Sequence, residues 1–220
     1  MKLYSGPLSL FTAKVRIALR EKGLEAEIVD VPFGRQGYHP KHPEVVRLNP
    51  KAQVPVLVDG DLALYDSTVI LEYLEDRHPE PALHPRDPAG RARCRQLELF
   101  ADEVLFASVW PLIEEVFYKP DGAGRDAARV TASGAQLQEH YGRLERMLGE
   151  GAYFCGDFTV ADVGLFLCCM FAASLGVPVG DGTPRLQAWL ARTGARPAVA
   201  KEAEAMMASA GSLPADEAVV

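Results

Sequence analysis

The chain has 220 residues, 48% hydrophobic and 24% charged, which is the balance of a soluble globular protein large enough for one big domain or two small ones. Lys and Arg number 23 against 30 Asp and Glu, leaving a net charge of −7 with no basic run, so a phosphate backbone is a poor partner. Four cysteines (Cys94, Cys155, Cys168, Cys169) show no Cys-x-x-Cys and no metal-ligand spacing; they read as reduced structural thiols, and no metal is expected. The first residues, MKLYSGPLSL, lack the apolar core of a signal peptide, so a cytoplasmic location is expected.

Residues 2–5 form a short strand candidate. A helix follows over 11–22, with Phe11, Val15, Ala18 and Leu19 at helical spacing and Gly23 placed to end it. Residues 26–31 alternate as a strand does, 32–43 form a loop rich in Gly, His and Pro, and 54–58 form a third strand. Asp59-Gly60-Asp61 turns the chain into a fourth strand, 62–65, and Ser67 is expected to cap a helix running to His78. This order, β-α-β-loop-β-β-α, defines a small α/β domain over 1–78.

Residues 79–90 hold four prolines in twelve positions and read as a linker. The remainder, 91–220, reads as all-helical: helices over 91–116, 126–148, 159–175, 185–193 and 197–208, a break at 120–124, and a fraying tail from Ser209. Phe158-Thr159-Val160-Ala161-Asp162-Val163 has the spacing of a capping box (Thr159 to Asp162) inside a hydrophobic staple (Phe158 to Val163). The uncharged stretch 163–180 that follows approaches the length of a membrane span, but its Gly, Ser and Pro content makes it a buried core helix. No membrane association is expected.

Four motifs now stand in register. Asn49-Pro50-x-x-Gln53-Val54-Pro55-Val56-Leu57 followed by Asp66-Ser67 resembles the thioredoxin-like half of glutathione S-transferases. Ser9-x-Phe11-x-x-Lys14-Val15 resembles the opening of their serine-type classes, tau, phi, zeta and theta above all. The FTVADVGL box and Trp189 with Arg196-Pro197-Ala198-Val199 resemble their helical half. The resemblance covers nearly the whole chain and implies a thioredoxin-like domain, then an all-helical one, in a homodimer.

It also implies a site. Val54-Pro55 matches the family's cis-proline junction, a bond that costs an X-Pro peptide only about 0.5–1 kcal/mol, with the Val54 backbone pairing strand-fashion to the cysteinyl unit of glutathione. Ser67 at a helix N-terminus would receive the γ-glutamyl carboxylate, and Asp66, where the family more often carries Glu, its ammonium. Gln53 and Lys41 would face the glycyl end, with His39 and His42 nearby but reading as solvated. Ser9 is the implied catalytic hydroxyl, favoured over Tyr4, Ser5 and Thr12 by the Lys14-Val15 that follows. The absence of a neighbouring cysteine argues against the family's thiol-based chemistry, and Leu10-Phe11 replaces the Ser-Cys that would continue a zeta-type string. For the electrophile the resemblance implies Phe106, Trp110, Phe117 and Tyr118 on the helical half, with Leu8 and Phe11 on the first.

The expected activity is glutathione transfer to small hydrophobic electrophiles, with glutathione as co-substrate. Two other readings stand beside it. One is a specialised glutathione-dependent isomerase, lyase or dehalogenase; the other is a non-catalytic module of the same fold. Ser9, Gln53, Asp66 and Ser67 all being present favours an enzyme.

Overall fold

The computed structural model describes residues 1–34, 36–39, 41–119 and 122–211. The chain divides into two compact units, one from Met1 to Pro81 joined by the last helix, the other Ala82–Arg196.

The first unit contains β1 (Lys2–Ser5), α1 (Leu10–Glu21), β2 (Glu27–Asp30), α2 (Pro43–Leu48), β3 (Val56–Asp59), β4 (Leu62–Tyr65) and α3 (Ser67–Arg77). Its sheet runs β2-β1-β3-β4, with β1 and β2 parallel across the α1 crossover and the remaining pairs antiparallel. Leu3, Val56 and Leu57 of the sheet, Ile70, Leu71 and Leu74 of α3 and Val15, Ile17 and Ala18 of α1 are the buried apolar stock of this unit. α1 and α3 pack against each other. Lys22, at the end of α1, is buried and ties three groups together: Glu75 at 2.7 Å, the His78 carbonyl at 2.7 Å and the Pro81 carbonyl at 2.8 Å.

α2 was not expected. It is six residues long, too short to show a period, and its cap is an imidazole: His42 Nδ1 accepts from the Glu44 N–H at 3.2 Å. His42 is therefore a half-buried cap, with its ring 5.2 Å from that of Tyr4, and not a solvated side chain. A second correction concerns α3. Its cap is Asp66, whose Oδ1 accepts from the Thr68 N–H at 3.2 Å, and Ser67 is the first helical residue.

The second unit is helical. α4 (Pro88–Leu99) begins three residues before the expected start because Asp87 caps it, accepting from Gly90 N–H at 2.8 Å. The expected single helix over 91–116 is one continuous run with two π-helical segments, Phe100–Leu105 and Ile113–Phe117, around α5 (Phe106–Leu112). Gly164 of α7 (Val160–Ser174) packs on the first of these; a Cβ there would lie 3.2 Å from that of Ala101. α6 (Ala127–Leu148) and α8 (Pro184–Gly194) complete the unit, with Trp189 and Tyr141 fully buried.

α7 is buried along nearly its whole length, as expected for the uncharged stretch. No helix among the described residues is long and apolar enough to cross a membrane. Asp162 Oδ2 accepts from the Thr159 N–H at 2.9 Å and the Thr159 hydroxyl at 3.0 Å, while Oδ1 accepts from Phe154 N–H at 3.1 Å and Trp189 Nε1 at 2.9 Å. Burial nonetheless pushes this carboxyl above the usual range, because desolvation outweighs the four donors. The α/β unit followed by helices is the expected fold class.

The last helix, α9 (Pro197–Gly211), groups with the first unit rather than with the helices before it. Its buried Glu202 holds Arg16 of α1 at 2.5 Å and Arg20 at 2.5 Å. The helix runs three residues past Ala208; the rest of the expected tail, 212–220, lies outside the described residues, as do Pro120 and Asp121 of the expected break.

Candidate functional site

Strand register decides which loops share an end of the sheet. Tyr4 pairs with Val56, Val56 with Tyr65, and Ser5 with Asp30. The exits of β1, β2 and β4 and the entry to β3 therefore lie at one end. Four segments leave or arrive there: 6–9 leading to α1, 31–42 leading to α2, Gln53-Val54-Pro55 entering β3, and Asp66-Ser67 opening α3. The carboxyl end of a sheet is where loops are free to hold a ligand, and here every glutathione-site residue implied by the sequence falls on those loops or at their edge.

Ser9 is the N-cap of α1. Its Oγ accepts from the Thr12 N–H at 3.2 Å, which uses a lone pair and leaves the hydroxyl proton to be donated elsewhere. The first turn of α1 carries no acid, so the positive end of the helix is not neutralised there. The other hydroxyls lie deeper: Ser5 and Thr12 are 0% exposed against 8% for Ser9. Ser5 Oγ is held by Arg16, Thr12 Oγ1 accepts from the Gly6 N–H at 3.4 Å and is fully buried, and Tyr4 is buried in a cluster with Val31, Val45 and Val56.

The β3 entry is shaped by Asn49. This buried side chain donates from Nδ2 to the Gln53 carbonyl at 2.7 Å and accepts at Oδ1 from the Lys51 N–H at 2.9 Å, folding 49–53 into a tight turn with Ala52 at φ 50°. The Val54-Pro55 bond is cis. Neither the N–H nor the carbonyl of Val54 has a partner among the described residues, although β3 begins two residues later. Gln53 is exposed.

At the fourth segment Asp66 sits at φ 76°, a conformation costly for a residue with a Cβ and held there by its own cap bond. Its second oxygen pairs with Lys51 at 3.1 Å. Ser67 is 3% exposed, and its side chain has no partner among the described residues. Lys41 is exposed just before the α2 cap, and His39 is exposed on the same loop.

Four positioning residues, Lys51, Arg16, Glu202 and Gly6, leave no mark in the sequence. Lys51 lies inside the Asn-Pro-x-x-Gln motif as one of its variable positions, so nothing marked it. Arg16 pins the 5–6 turn through Ser5 Oγ and the Gly6 carbonyl (3.3 Å), and Glu202 pins Arg16; that chain of contacts crosses almost the whole sequence. Gly6 makes room for the Tyr38 ring, since a Cβ there would lie 2.6 Å from it.

The aromatic candidates are placed within their own units. Phe11 is half-buried on α1 with the Lys14 ammonium 5.9 Å from its ring centre, and Leu8 is buried. Phe106 and Trp110 share one face of α5, ring centres 6.0 Å apart, with Trp110 43% exposed. Phe117 and Tyr118 meet edge-to-face at 5.3 Å, and burial raises the Tyr118 phenol.

A mixed sheet with this loop end, followed by a helical unit, is the fold that the comparisons with known proteins share. Family models for the glutathione S-transferase N-terminal and C-terminal domains match residues 3–82 and 127–192. Glutathione S-transferase 4 of Zea mays is 31% identical over 222 residues, 96% of each chain. A stringent starvation protein A homolog of Coxiella burnetii is 39% identical over 163 residues, 74% of this chain and 71% of its own. Among solved structures, a glutathione S-transferase of Methylobacterium radiotolerans in complex with glutathione sulfonate superposes with a TM-score of 0.74 at 28% identity, over 100% of this chain and 97% of the other. The chain belongs to the glutathione S-transferase family, which is a family of enzymes.

Proposed function

We propose that this protein is a glutathione transferase in which Ser9 donates a hydrogen bond to the glutathione sulfur, and the resulting thiolate attacks a small hydrophobic electrophile. The observation that carries the reading is the meeting, at one end of the sheet, of an uncommitted Ser9 proton, an unpartnered Val54 backbone and the α3 start at Asp66-Ser67. In that arrangement the γ-glutamyl carboxylate lies on the Ser67 N–H and hydroxyl, and its ammonium on Asp66. The cysteinyl unit extends β3 through Val54, and Gln53 and Lys41 serve the glycyl end. Residues 1–78 serve glutathione, and the helical part from 91 serves the electrophile, with Phe106 and Trp110 on α5 and Tyr118 as its apolar surface.

A free thiol with a pKa near 8.5 is mostly protonated at neutral pH. Bringing it down two units takes about 2.7 kcal/mol of preference for the anion, which one hydrogen bond to a charged acceptor and a helix end supply together. The reading includes a detoxifying role in the cytoplasm and a homodimer. Val69 of α3 and Leu62 and Tyr65 of β4 leave 49%, 42% and 36% of their surface in solvent, apolar area that a second copy would cover.

The test is conjugation of glutathione to a chlorodinitrobenzene together with calorimetric binding of glutathione. The proposal expects binding and a conjugation rate above the uncatalysed one; absence of binding rejects it. A second reading, a non-catalytic binding module, stands beside it because a relative at 39% identity bears the name stringent starvation protein A homolog and not that of a transferase. It predicts that glutathione binding, if present, comes without conjugation of any electrophile.

A further inference from the structure

Lys51 and Asp66 join two of the four segments at the loop end of the sheet. The Lys51 backbone is fixed, since its N–H donates to Asn49 Oδ1 at 2.9 Å. Ala52 beside it closes the turn at φ 50°, with its own N–H on the Asn49 carbonyl at 2.8 Å. From that backbone the side chain reaches across to the start of α3, where Nζ donates to Asp66 Oδ2 at 3.1 Å. Asp66 is fixed in its turn, because Oδ1 caps α3 through the Thr68 N–H at 3.2 Å. Oδ1 therefore belongs to the helix, and Oδ2 is the oxygen left to meet a cation. It already holds one. The first turn of α3 carries no other acid, so a second cation arriving there finds no other carboxylate in that turn. Both partners stand in solvent, with 56% of the Lys51 side chain and 40% of the Asp66 side chain exposed. Such a pair is weak, and the flexible four-carbon stem lets the lysine move off its partner.

We propose that Lys51 is a displaceable counter-ion of the γ-glutamyl end, an internal ammonium that occupies Asp66 until the ammonium of the ligand replaces it. The inference rests on the glutathione reading above and adds the residue that sets how sharply the site discriminates the charge of that end. Two ammonium groups on one carboxylate oxygen repel each other, and the exposed lysine is the one that water readily takes back. Its release leaves the turn intact. Asn49, and not the ion pair, holds the Lys51 backbone and the Gln53 carbonyl (2.7 Å), so Val54 keeps its place while the two cations exchange. Competition of this kind makes glutathione bind less tightly than the same site would without Lys51. It also makes the site tolerant, because a ligand with no α-amino group leaves the Lys51–Asp66 pair undisturbed. When the γ-glutamyl end departs, Lys51 pairs with Asp66 again.

The experiment measures, by calorimetry on the full-length protein, the affinities for glutathione and for its deaminated analogue, glutaryl-cysteinyl-glycine, in the wild type, Lys51→Met and Lys51→Arg. Lys51→Met should bind glutathione about two- to fivefold more tightly, with no gain for the analogue, so the ratio of the two affinities rises by at least that factor. Lys51→Arg keeps a cation on Asp66 and should not show the gain. A lysine that merely braced the turn would, on removal, weaken both ligands alike and leave the ratio where it was. Weaker binding of glutathione by Lys51→Met, or a ratio equal to that of the wild type, would overturn the proposal and leave the glutathione reading standing, because the wild type still binds. A wild type that binds neither ligand would overturn both.

Discussion

A serine hydroxyl has one proton, and at Ser9 its direction is the chemistry. The Thr12 N–H occupies the oxygen from the helix side, so the proton points to whatever lies beyond the cap. Ser5 and Thr12, the competing hydroxyls nearby, likewise accept, from Arg16 and Gly6, but are fully buried. Asp66 supports a prediction of a different kind. It caps α3 and pairs with Lys51, so Asp66→Ala mixes lost capping with lost charge. Asp66→Asn retains a capping oxygen and removes the charge; it should raise KM for glutathione about tenfold, or about 1.4 kcal/mol, with little change in melting temperature. An unchanged KM would reject the ammonium contact. At this scale Ser9, Val54, Asp66 and Ser67 were singled out by the resemblance of their motifs to the family's. Lys51, Arg16 and Glu202 escaped it because each acts through a partner far along the chain.

Among the elements, the capping box was legible because all its residues lie within one turn, but the spacing did not show what else leans on it. Asp162 also accepts from Trp189 and Phe154. Asp162→Ala would orphan buried donors in three places, so we expect about 3 kcal/mol or more of lost stability, read from denaturant unfolding; a loss below about 1 kcal/mol, that of a simple cap, would contradict this. The π-helical segments were invisible, since a π-turn leaves no period to read. The second of them carries Glu115, which accepts from Lys119 at 2.7 Å and the Asp126 N–H at 2.8 Å and meets Arg129 at 3.2 Å. Lys119 first, then the Asp126 N–H, hold this carboxyl down at about 2. A lowered carboxyl contributes stability that is present above its unfolded pKa of about 4.3 and is lost as pH falls toward 2. Glu115→Gln should therefore flatten the acid limb of stability between about pH 4.5 and 2, measured by thermal unfolding across that range. An unaltered acid limb would show that Glu115 is not held down.

For the whole molecule, length left one large domain or two small ones open, and the texture change near residue 79 pointed to an α/β part followed by helices. The grouping of α9 with the first unit was not foretold, because it rests on one buried carboxylate meeting two arginines of α1. Glu202→Gln should loosen the 5–6 turn that precedes Ser9, weakening turnover while leaving the fold intact; hydrogen exchange of the Gly6–Ser9 amides reads that directly. Sedimentation at micromolar concentration tests the homodimer, for which a monomer mass would leave the apolar face of α3 and β4 unexplained.

The central claim is that Ser9 activates the thiol. Ultraviolet absorbance of the bound glutathione thiolate, followed against pH in the wild type and in Ser9→Ala, tests it most directly. The account predicts a wild-type transition well below that of free glutathione, moved back upward by the substitution while binding persists. A transition that is the same in both proteins, or one at the free-glutathione value in the wild type, would contradict it.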